Sequence, residues 1–486
     1  MRVQGDHAAA NRHAHHDRRW LALTVLCLGV LMIVLDTTIV NVALPSIKTD
    51  LQFSDTALAW VVNAYMLTYG GFLLLGGRLG DLHGHRRLFL IGIAGFTLAS
   101  LACGLSTTQG ALVAARCVQG LGGAVVTAVS LSLIMDLFTE AADRAKAMGI
   151  YGFVCAGGGS LGAMLGGVLT GSLSWHWVFL VNLPIGIGVI GLSLRLLPAA
   201  SMEAKSRHLD VLGAVTVTAA LMLAVYAIVN GNEMGWTSRR TLSQLMIAAV
   251  LLALFLWIET RVRVPLMPLR LFKLRNLAVS NVVGVLWAAA MFAWFFLSAL
   301  YMQLVLGYGP LQVGLAFLPA NLIMAVFSLG ISARLVMRFG IRRPLAGGLL
   351  LAVCGLLLFA RAPMNGHFVS DILPGMLLLG LGAGIAFNPV LLAAMSDVAP
   401  SESGLASGVV NTAFMMGGAL GLAVLASLAA SHTQGLPAGS HEQLATLTAG
   451  YQAAFLAGAC FAALGALLGA VLLRTNISVA KAEAAA

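Results

Sequence analysis

The sequence predicts an all-α membrane protein made of two six-helix halves with two further helices inserted between them, fourteen spanning helices in all. The chain has 486 residues, of which 59% are hydrophobic and only 9% charged, whereas about a quarter of the residues of a soluble protein are charged. Mean hydropathy is +0.94. Fourteen apolar runs have roughly the 20 residues that a membrane-spanning helix needs. One basic loop occurs twice, which indicates a duplicated unit.

The fourteen predicted spans are separated by short polar loops. The first run is too long for a signal-peptide core, and no cleavage pattern follows it, so we retain it as a span. An even number of spans places both termini on the same side of the membrane. In order, the spans lie near residues 20–44, 57–77, 88–106, 110–135, 146–170, 177–197, 210–230, 243–259, 277–303, 311–335, 344–361, 371–394, 403–429 and 451–473.

The orientation follows from the basic residues in the short loops. With a cytoplasmic N-terminus, 23 Lys and Arg residues lie on the cytoplasmic side and four on the other, which is the asymmetry of the positive-inside rule. Residues 1–19 and 474–486 are then cytoplasmic tails. Because the basic residues are distributed over loops and not collected on one face, the net charge of +10 does not indicate a nucleic-acid partner.

The duplicated loop sets the boundaries of the halves. Residues 78–87 and 334–343 both read Arg-Leu, then four residues, then Gly-x-Arg-Arg, at a constant offset of 256 residues. The first copy joins spans 2 and 3 and the second joins spans 10 and 11, so two extra spans lie between the halves. We therefore assign an N-terminal half at 20–197, linkers and inserted helices at 198–276, and a C-terminal half at 277–473. Met337 replaces Asp81 in the second copy, so the halves have diverged.

Asp36 is an acidic residue well inside an apolar span. An ionised carboxylate at mid-membrane costs about 3 kcal/mol, so Asp36 must face a cavity, find a partner or be protonated; a structural hydrogen bond is the alternative. Counting about 1.5 Å per residue, Asp36 and Arg116 lie roughly 12 Å and 9 Å from the same membrane surface. Gln119 is one turn from Arg116 on the same face. Such a set can alternate between a proton-bound and a charge-paired state.

Span 5 carries Gly158, Gly162 and Gly166 at a spacing of four, followed by Gly167. Small residues on one face allow two membrane helices to approach closely. Static packing and a sliding contact between the halves share this geometry, so both interpretations stay open.

Other polar and aromatic residues within the spans are candidates for a substrate cavity. The aromatic residues of span 9 either face lipid or line an apolar drug cavity. Six cysteines in apolar runs without a Cys-x-x-Cys pair predict neither a disulfide framework nor a metal site. The absence of a Walker-type loop argues against direct use of ATP. The cavity candidates are Asn41, Asn63, Gln119, Trp294, Tyr301, Gln303 and Asn411.

Five motifs, in order along nearly the whole chain, resemble the major facilitator superfamily and specifically its fourteen-helix drug:proton antiporter branch (EmrB/QacA-like). Ala163 stands where the branch's span 5 motif usually has Pro. The motifs are Leu35-Asp36-Thr37-Thr38-Ile39-Val40-Asn41-Val42-Ala43-Leu44-Pro45; the loop from Gly77 to Arg87; Arg116-x-x-Gln119-Gly120-x-Gly122; Trp175-x-Trp177-x-Phe179-x-x-Asn182-x-Pro184-x-Gly186; and Tyr301-x-Gln303 with Pro319.

The resemblance implies a major facilitator fold and a proton-driven exporter of hydrophobic or amphipathic small molecules such as drugs and antibiotics. It implies no enzymatic activity, no cofactor besides the proton gradient, and a monomer in the cell membrane whose partners are lipid, substrate and protons. In the family the first basic loop is a cytoplasmic gate, here Gly77, Arg78, Asp81, Gly84, Arg86 and Arg87. The alternatives are a proton-coupled uptake symporter for a metabolite and a membrane-embedded sensor or enzyme.

Overall fold

The computed structural model describes residues 2–54, 56–138, 140–197, 210–262, 265–398, 403–432 and 441–474. Every regular element in these ranges is helical. For some helical residues, including 2–17, Arg78 and Asp81, only the backbone is described. The helices are α1 Arg2–Leu51, α2 Trp60–His83, α3 His85–Gly104, α4 Gln109–Leu137, α5 Ala141–Ser172, α6 Trp177–Leu180, α7 Asn182–Leu196, α8 Val211–Met234, α9 Arg239–Arg261, α10 Arg275–Leu300, α11 Pro310–Val326, α12 Ser332–Phe339, α13 Arg342–Phe359, α14 Leu373–Met395, α15 Ser403–Ser431 and α16 His441–Leu472.

The number of membrane-crossing helices agrees in part with the fourteen that the sequence predicts. Twelve helices in the described residues are long and apolar enough to cross a membrane. Predicted spans 5 and 10 correspond to α5 and to α11 with α12, whose apolar stretches among the described residues are the shorter segments Leu161–Ser172 and Pro310–Val326. A π-helical segment, Phe327–Ile331, separates α11 from α12. The fold is therefore an all-helical membrane bundle, and the count of fourteen crossings stays a prediction.

The two halves pack their helices in the same order. In the N-terminal half α4 packs on α2 and α3, and α1 packs on α5. In the C-terminal half α14 packs on α11 and α13, and α10 packs on α15. The duplicated loop therefore marks a duplicated bundle.

Both copies of the basic loop reverse the chain at a glycine. Gly84 lies between α2 and α3 with φ of 88°, and Gly340 lies between α12 and α13 with φ of 75°. Residues with a Cβ rarely adopt this backbone conformation, so the Gly-x-Arg-Arg skeleton is explained by the turn itself. We call the end of the bundle that carries these two turns the basic end, and the other the opposite end.

Each half closes its basic end with two arginines that bind the end of its last helix. Arg86 donates to the carbonyl of Leu194 at 2.7 Å and Arg18 donates to that of Arg195 at 2.9 Å. In the C-terminal half Arg342 donates to Ala470 at 2.8 Å through Nε, and Arg275 donates to Leu472 at 2.9 Å. The final carbonyls of a helix have no partner within the helix and carry partial negative charge. These arginines therefore provide hydrogen-bond donors for the final carbonyls of α7 and α16 in equivalent ways. We call each pair an arginine clasp.

Two reciprocal seams join the halves. At one seam α5 packs on α11, and at the other α15 packs on α2. The inserted helix α8 packs on both α2 and α15, whereas α9 packs against α8. The insertion therefore borders the α2–α15 seam.

Candidate functional site

Asp36 lies on α1 in the middle of the N-terminal half, and its side chain is fully buried. It pairs with Arg116 of α4, which is 1% exposed. Gln119 donates to the other carboxylate oxygen, Oδ1, at 2.8 Å, and Asn182 of α7 donates to it at 3.3 Å. Both oxygens of the carboxylate therefore have partners, as a buried charge requires.

Arg116 is held by the backbone of α2 as well as by Asp36. Its Nε donates to the carbonyl of Val61 at 2.9 Å, and Nη1 donates to Oε1 of Gln119 at 2.6 Å. The guanidinium carbon lies 4.3 Å from the ring centroid of Tyr65, within the range of a cation–π interaction. The planar, multiply bonded guanidinium fits this role better than an ammonium group would.

The ion pair belongs to a network that joins five helices. Gln119 donates to the hydroxyl of Ser100 on α3 at 2.7 Å, and Asn182 donates to the same hydroxyl at 3.3 Å. Asn182 is the first residue of α7, after the interruption at Val181 that separates α6 from α7. Pro184 lacks a backbone N–H and explains the interruption in what the sequence predicts as a single span. Through this network Asp36 links α1 to α2, α3, α4 and α7.

The halves meet at the opposite end, beyond Asp36 along α1. Gln303, at the end of α10, donates to the carbonyl of Val42 on α1 at 3.0 Å. A Cβ added to Gly314 of α11 would lie 2.6 Å from the carbonyl oxygen of Ala163. Such close approaches show that the halves are in direct contact at this end of their interface.

The glycines of α5 divide between two neighbours. An added Cβ would lie 2.8 Å from Val34 at Gly158, 2.8 Å from the carbonyl of Leu35 at Gly162, and 2.5 Å from that of Ile39 at Gly166. These three glycines therefore pack on α1 within the N-terminal half. At Gly167 the corresponding neighbour is the carbonyl of Pro310, at 2.8 Å, across the interface with the other half. The glycines of α5 thus pack both within one half and against the other, and a sliding contact at Gly167 stays a prediction.

The polar candidates for substrate contact have dissimilar surroundings. Asn41 is 7% exposed and donates to the carbonyl of Thr37 within its own helix. Asn63 is fully buried, and neither atom of its amide has a partner among the described residues. Asn411 is exposed on α15 and donates to Ser407 at 3.0 Å. Asn63 is thus the one of these three with unused hydrogen-bonding capacity in the N-terminal core.

The aromatic candidates lie in the core of the C-terminal half, not on a lipid-facing surface. Trp294 is 2% exposed, and its ring centroid lies 4.4 Å from that of Phe295 and 6.0 Å from that of Phe317. Tyr301 is 1% exposed and donates to the carbonyl of Pro363 at 2.6 Å. The interpretation of these two residues as lipid-facing is therefore wrong, because neighbouring helices cover them.

The gate residues are described in part. Gly77 is half-buried on α2, Gly84 forms the turn, and Arg86 belongs to the clasp. Arg87 is exposed. The side chains of Arg78 and Asp81 lie outside the described residues, so an ionic role for Asp81 stays a prediction.

Sequence reasoning did not single out Ser100 as a site residue, because a serine in an apolar span carries no distinctive signal. Asn182 was part of a quoted motif but had no assigned role. The offset of 256 residues could have matched one arginine of each clasp, because Arg342 lies 256 residues after Arg86. Arg275 lies 257 residues after Arg18, so that match departs from the offset by one residue.

Comparison with known proteins finds relatives that are named as antibiotic resistance or export proteins. It is 40% identical to the puromycin resistance protein pur8 of Streptomyces alboniger over 86% of this chain and 83% of that protein. It is 39% identical to the cephamycin export protein CmcT of Amycolatopsis lactamdurans over 86% of each chain. The multidrug resistance protein Stp of Mycobacterium tuberculosis is 37% identical, over 85% of this chain and 76% of that protein.

Solved structures agree on the fold. A mutant of the nucleoside transporter NupG superposes with a TM-score of 0.68 at 13% identity, covering 93% of this chain and all of the other. A bacterial homologue of the lysosomal transporter Spinster gives 0.65 at 15% identity, covering 94% and 97%. Residues 26–422 match the family profile described as the Major Facilitator Superfamily. The chain is therefore a multi-pass membrane transporter, not an enzyme, and it belongs to the Major Facilitator Superfamily.

Proposed function

We propose that this transporter is a proton-coupled antiporter of the fourteen-helix drug:proton branch, which exports hydrophobic or amphipathic small molecules, antibiotics among them. The observation that carries the proposal is the fully buried Asp36–Arg116 ion pair. The names of the relatives, which include puromycin resistance and cephamycin export proteins, support the substrate class and the direction.

The coupling step follows from the chemistry of the pair. A proton on Asp36 removes the negative charge that compensates Arg116, so the guanidinium keeps only neutral acceptors such as the carbonyl of Val61. A buried cation without a counter-ion is unstable by several kcal/mol, of the order of 3–5 kcal/mol. Protonation therefore favours a state in which Arg116 reaches water or a substrate acceptor. Since Asp36 ties α1 to four other helices, that change reaches the whole N-terminal half.

Exchange follows when proton and substrate exclude one another. Each ligand shifts the equilibrium between the two transport states by its difference in affinity for them. A proton that binds Asp36 from outside promotes release of the drug, and a drug that binds from inside promotes release of the proton. This exchange uses the proton gradient without a cofactor. A single polypeptide chain is sufficient for it.

The proposed substrates are neutral or singly charged. Among the described residues, Asp36 is the one buried carboxylate in either six-helix half. It is already paired with Arg116, so a dication would meet no free buried charge there.

The proposed orientation places both termini, the basic end and its two loops in the cytoplasm, because of the excess of basic residues on that side. The opposite end then faces outward. A single Cys at position 85, in a chain without its native cysteines, should react with an impermeant maleimide in inverted vesicles and not in intact cells.

The function is tested in proteoliposomes with puromycin as the probe. An imposed pH gradient should drive puromycin in the direction opposite to the protons, and puromycin added without a gradient should release protons detectable with a pH-sensitive dye. Movement of puromycin in the same direction as the protons would indicate the uptake symporter instead. Movement that ignores the gradient would refute proton coupling.

A further inference from the structure

The inserted helices carry two buried carboxyl groups that the transport mechanism does not use. Asp210 precedes α8 and is 6% exposed, and Glu259 lies in the last turn of α9 and is 4% exposed. The two side chains bind neighbouring backbone: Glu259 binds the amide of Met267, Asp210 binds that of Gly213, and the adjacent residues Leu266 and Ala214 pack in one cluster. They join the start of one inserted helix to the end of the other, at the basic end.

One oxygen of each carboxyl group is bound by the backbone. Oδ1 of Asp210 accepts from the amide of Gly213 at 2.7 Å and so caps α8. Oε2 of Glu259 accepts from the amide of Met267 at 3.0 Å. These bonds fix the positions of both groups, so neither can turn away from the other without loss of a backbone hydrogen bond.

The remaining oxygens, Oδ2 of Asp210 and Oε1 of Glu259, are buried and have no partner among the described residues. An ionised carboxylate can only accept hydrogen bonds. Two such groups side by side therefore leave both oxygens unsatisfied and place two like charges together in a buried site. One proton placed between them supplies a donor, satisfies both oxygens and removes one charge.

Among the described side chains, few other charges lie on the elements packed around the pair. α15 contains no ionisable residue. On α9 Arg261 is exposed and lies over the ring of Trp257, 5.5 Å from its centroid. The other acidic, basic and histidine side chains described on the neighbouring elements are His83 of α2, Arg239 and Arg240 at the far end of α9, and Arg270 and Lys273 of the segment before α10. The side chains of Arg78, Asp81, Lys205, Arg207, His208, Glu233 and Arg263 lie outside the description.

The pair also lies where the insertion meets the halves. Leu266 packs with Leu75 of α2 and Ala214 of α8 in one apolar cluster. The next residue is Met267, whose amide binds Glu259. Met267 packs with Met416 of α15 in another. A change at the pair therefore reaches both sides of the α2–α15 seam.

We propose that Asp210 and Glu259 bind one proton between them, and that this second protonation site, separate from Asp36 and Arg116, fastens the inserted helix pair to the seam between the halves. The folded protein then holds a proton that the separated carboxyl groups of the unfolded chain release at neutral pH. Because the folded state binds more protons, stability falls as the pH rises.

The test compares the wild type with Glu259→Gln and Asp210→Asn by thermal unfolding in detergent, from mildly acidic to mildly alkaline pH. An amide N–H replaces the shared proton in both variants, and Asn retains the ability to cap α8. We expect the wild-type melting temperature to fall by about 1–2 °C more than that of either variant over this range, because the shift that a given change in stability causes becomes smaller as the chain becomes longer. Glu442→Gln, the same change at an exposed glutamate on α16, should behave as the wild type does.

Infrared spectroscopy tests the proton directly and needs no transport activity. The wild type at neutral pH should show the carbonyl stretch of a protonated carboxylic acid, and this band should be absent from Glu259→Gln and present in Glu442→Gln. A band that persists in Glu259→Gln would place the proton elsewhere. A wild type without the band, together with destabilised variants, would show that a cation or water fills the site and would overturn the proposal. Neither result depends on whether Asp36 couples transport.

Discussion

The two halves share a scaffold and differ in the chemistry of their cores. Both reverse the chain at a glycine between their second and third helices and clasp their sixth helix with two arginines. The N-terminal half then encloses an ion pair with its hydrogen-bond network, whereas the C-terminal half encloses an aromatic cluster around Trp294 and Phe359. Duplication preserved what holds a half together, whereas among the described residues of the two halves the buried ion pair lies in the N-terminal half alone.

The largest expected effect tests whether coupling depends on the buried carboxylate of the N-terminal half. Asp36→Asn resembles the protonated state permanently, so it should reduce gradient-driven puromycin accumulation to the level of protein-free liposomes while passive exchange persists. Asp371→Asn, the same change in the C-terminal half at a residue that binds the backbone amide of His367, should accumulate puromycin normally. Passive exchange by the same Asp36→Asn preparation shows that the protein is folded. Active accumulation by that variant would remove Asp36 from the coupling step.

The next effect distinguishes charge from geometry at Arg116. Arg116→Ala should abolish active export, because Asp36 loses its counter-ion. Arg116→Lys keeps a cation but loses the fork that binds Asp36 and Val61 together. The loss of one charge-assisted hydrogen bond, about 1.5–3 kcal/mol, should slow export about ten- to a hundredfold. Equal export rates for Arg116→Lys and Arg116→Ala would show that export depends on the hydrogen-bonding geometry of the guanidinium and not on its charge alone.

The aromatic core provides the reciprocal test. Trp294→Ala should lower the free energy of unfolding by about 3–5 kcal/mol, as truncation of a buried Trp commonly does. The ratio of protons to puromycin exchanged should stay unchanged in the folded fraction, because no proton-binding group is removed. Thermal unfolding and dye-based proton counting on one preparation separate the two quantities. A changed ratio would mean that the C-terminal core participates in coupling.

The sequence was informative where a regular spacing carried the information. The constant offset between the basic loops predicted the duplication and the insertion, and the count along two helices predicted that Asp36 and Arg116 lie at similar depth. It could not assign Ser100 or Asn182 to the site, because both depend on how α3 and the interrupted sixth helix pack. The Asp210–Glu259 pair was also missed. Asp210 lies at the edge of a polar linker and Glu259 at the end of a span, and neither is unusual until the two helices are placed side by side.

The smallest expected effect asks whether the clasps are equivalent. Arg86→Gln and Arg342→Gln each remove a cation from the carbonyl end of a helix, so each should lower stability by about 1 kcal/mol. Arg87→Gln and Arg343→Gln change the neighbouring exposed arginines and should lower it by less. Thermal unfolding of the four variants makes the comparison. If Arg86→Gln destabilised the protein far more than Arg342→Gln did, the halves would differ in their scaffold as well as in their cores, and the equivalence inferred from the repeated loop would be wrong. Similar small losses would leave the buried ion pair as the feature that separates one half from the other.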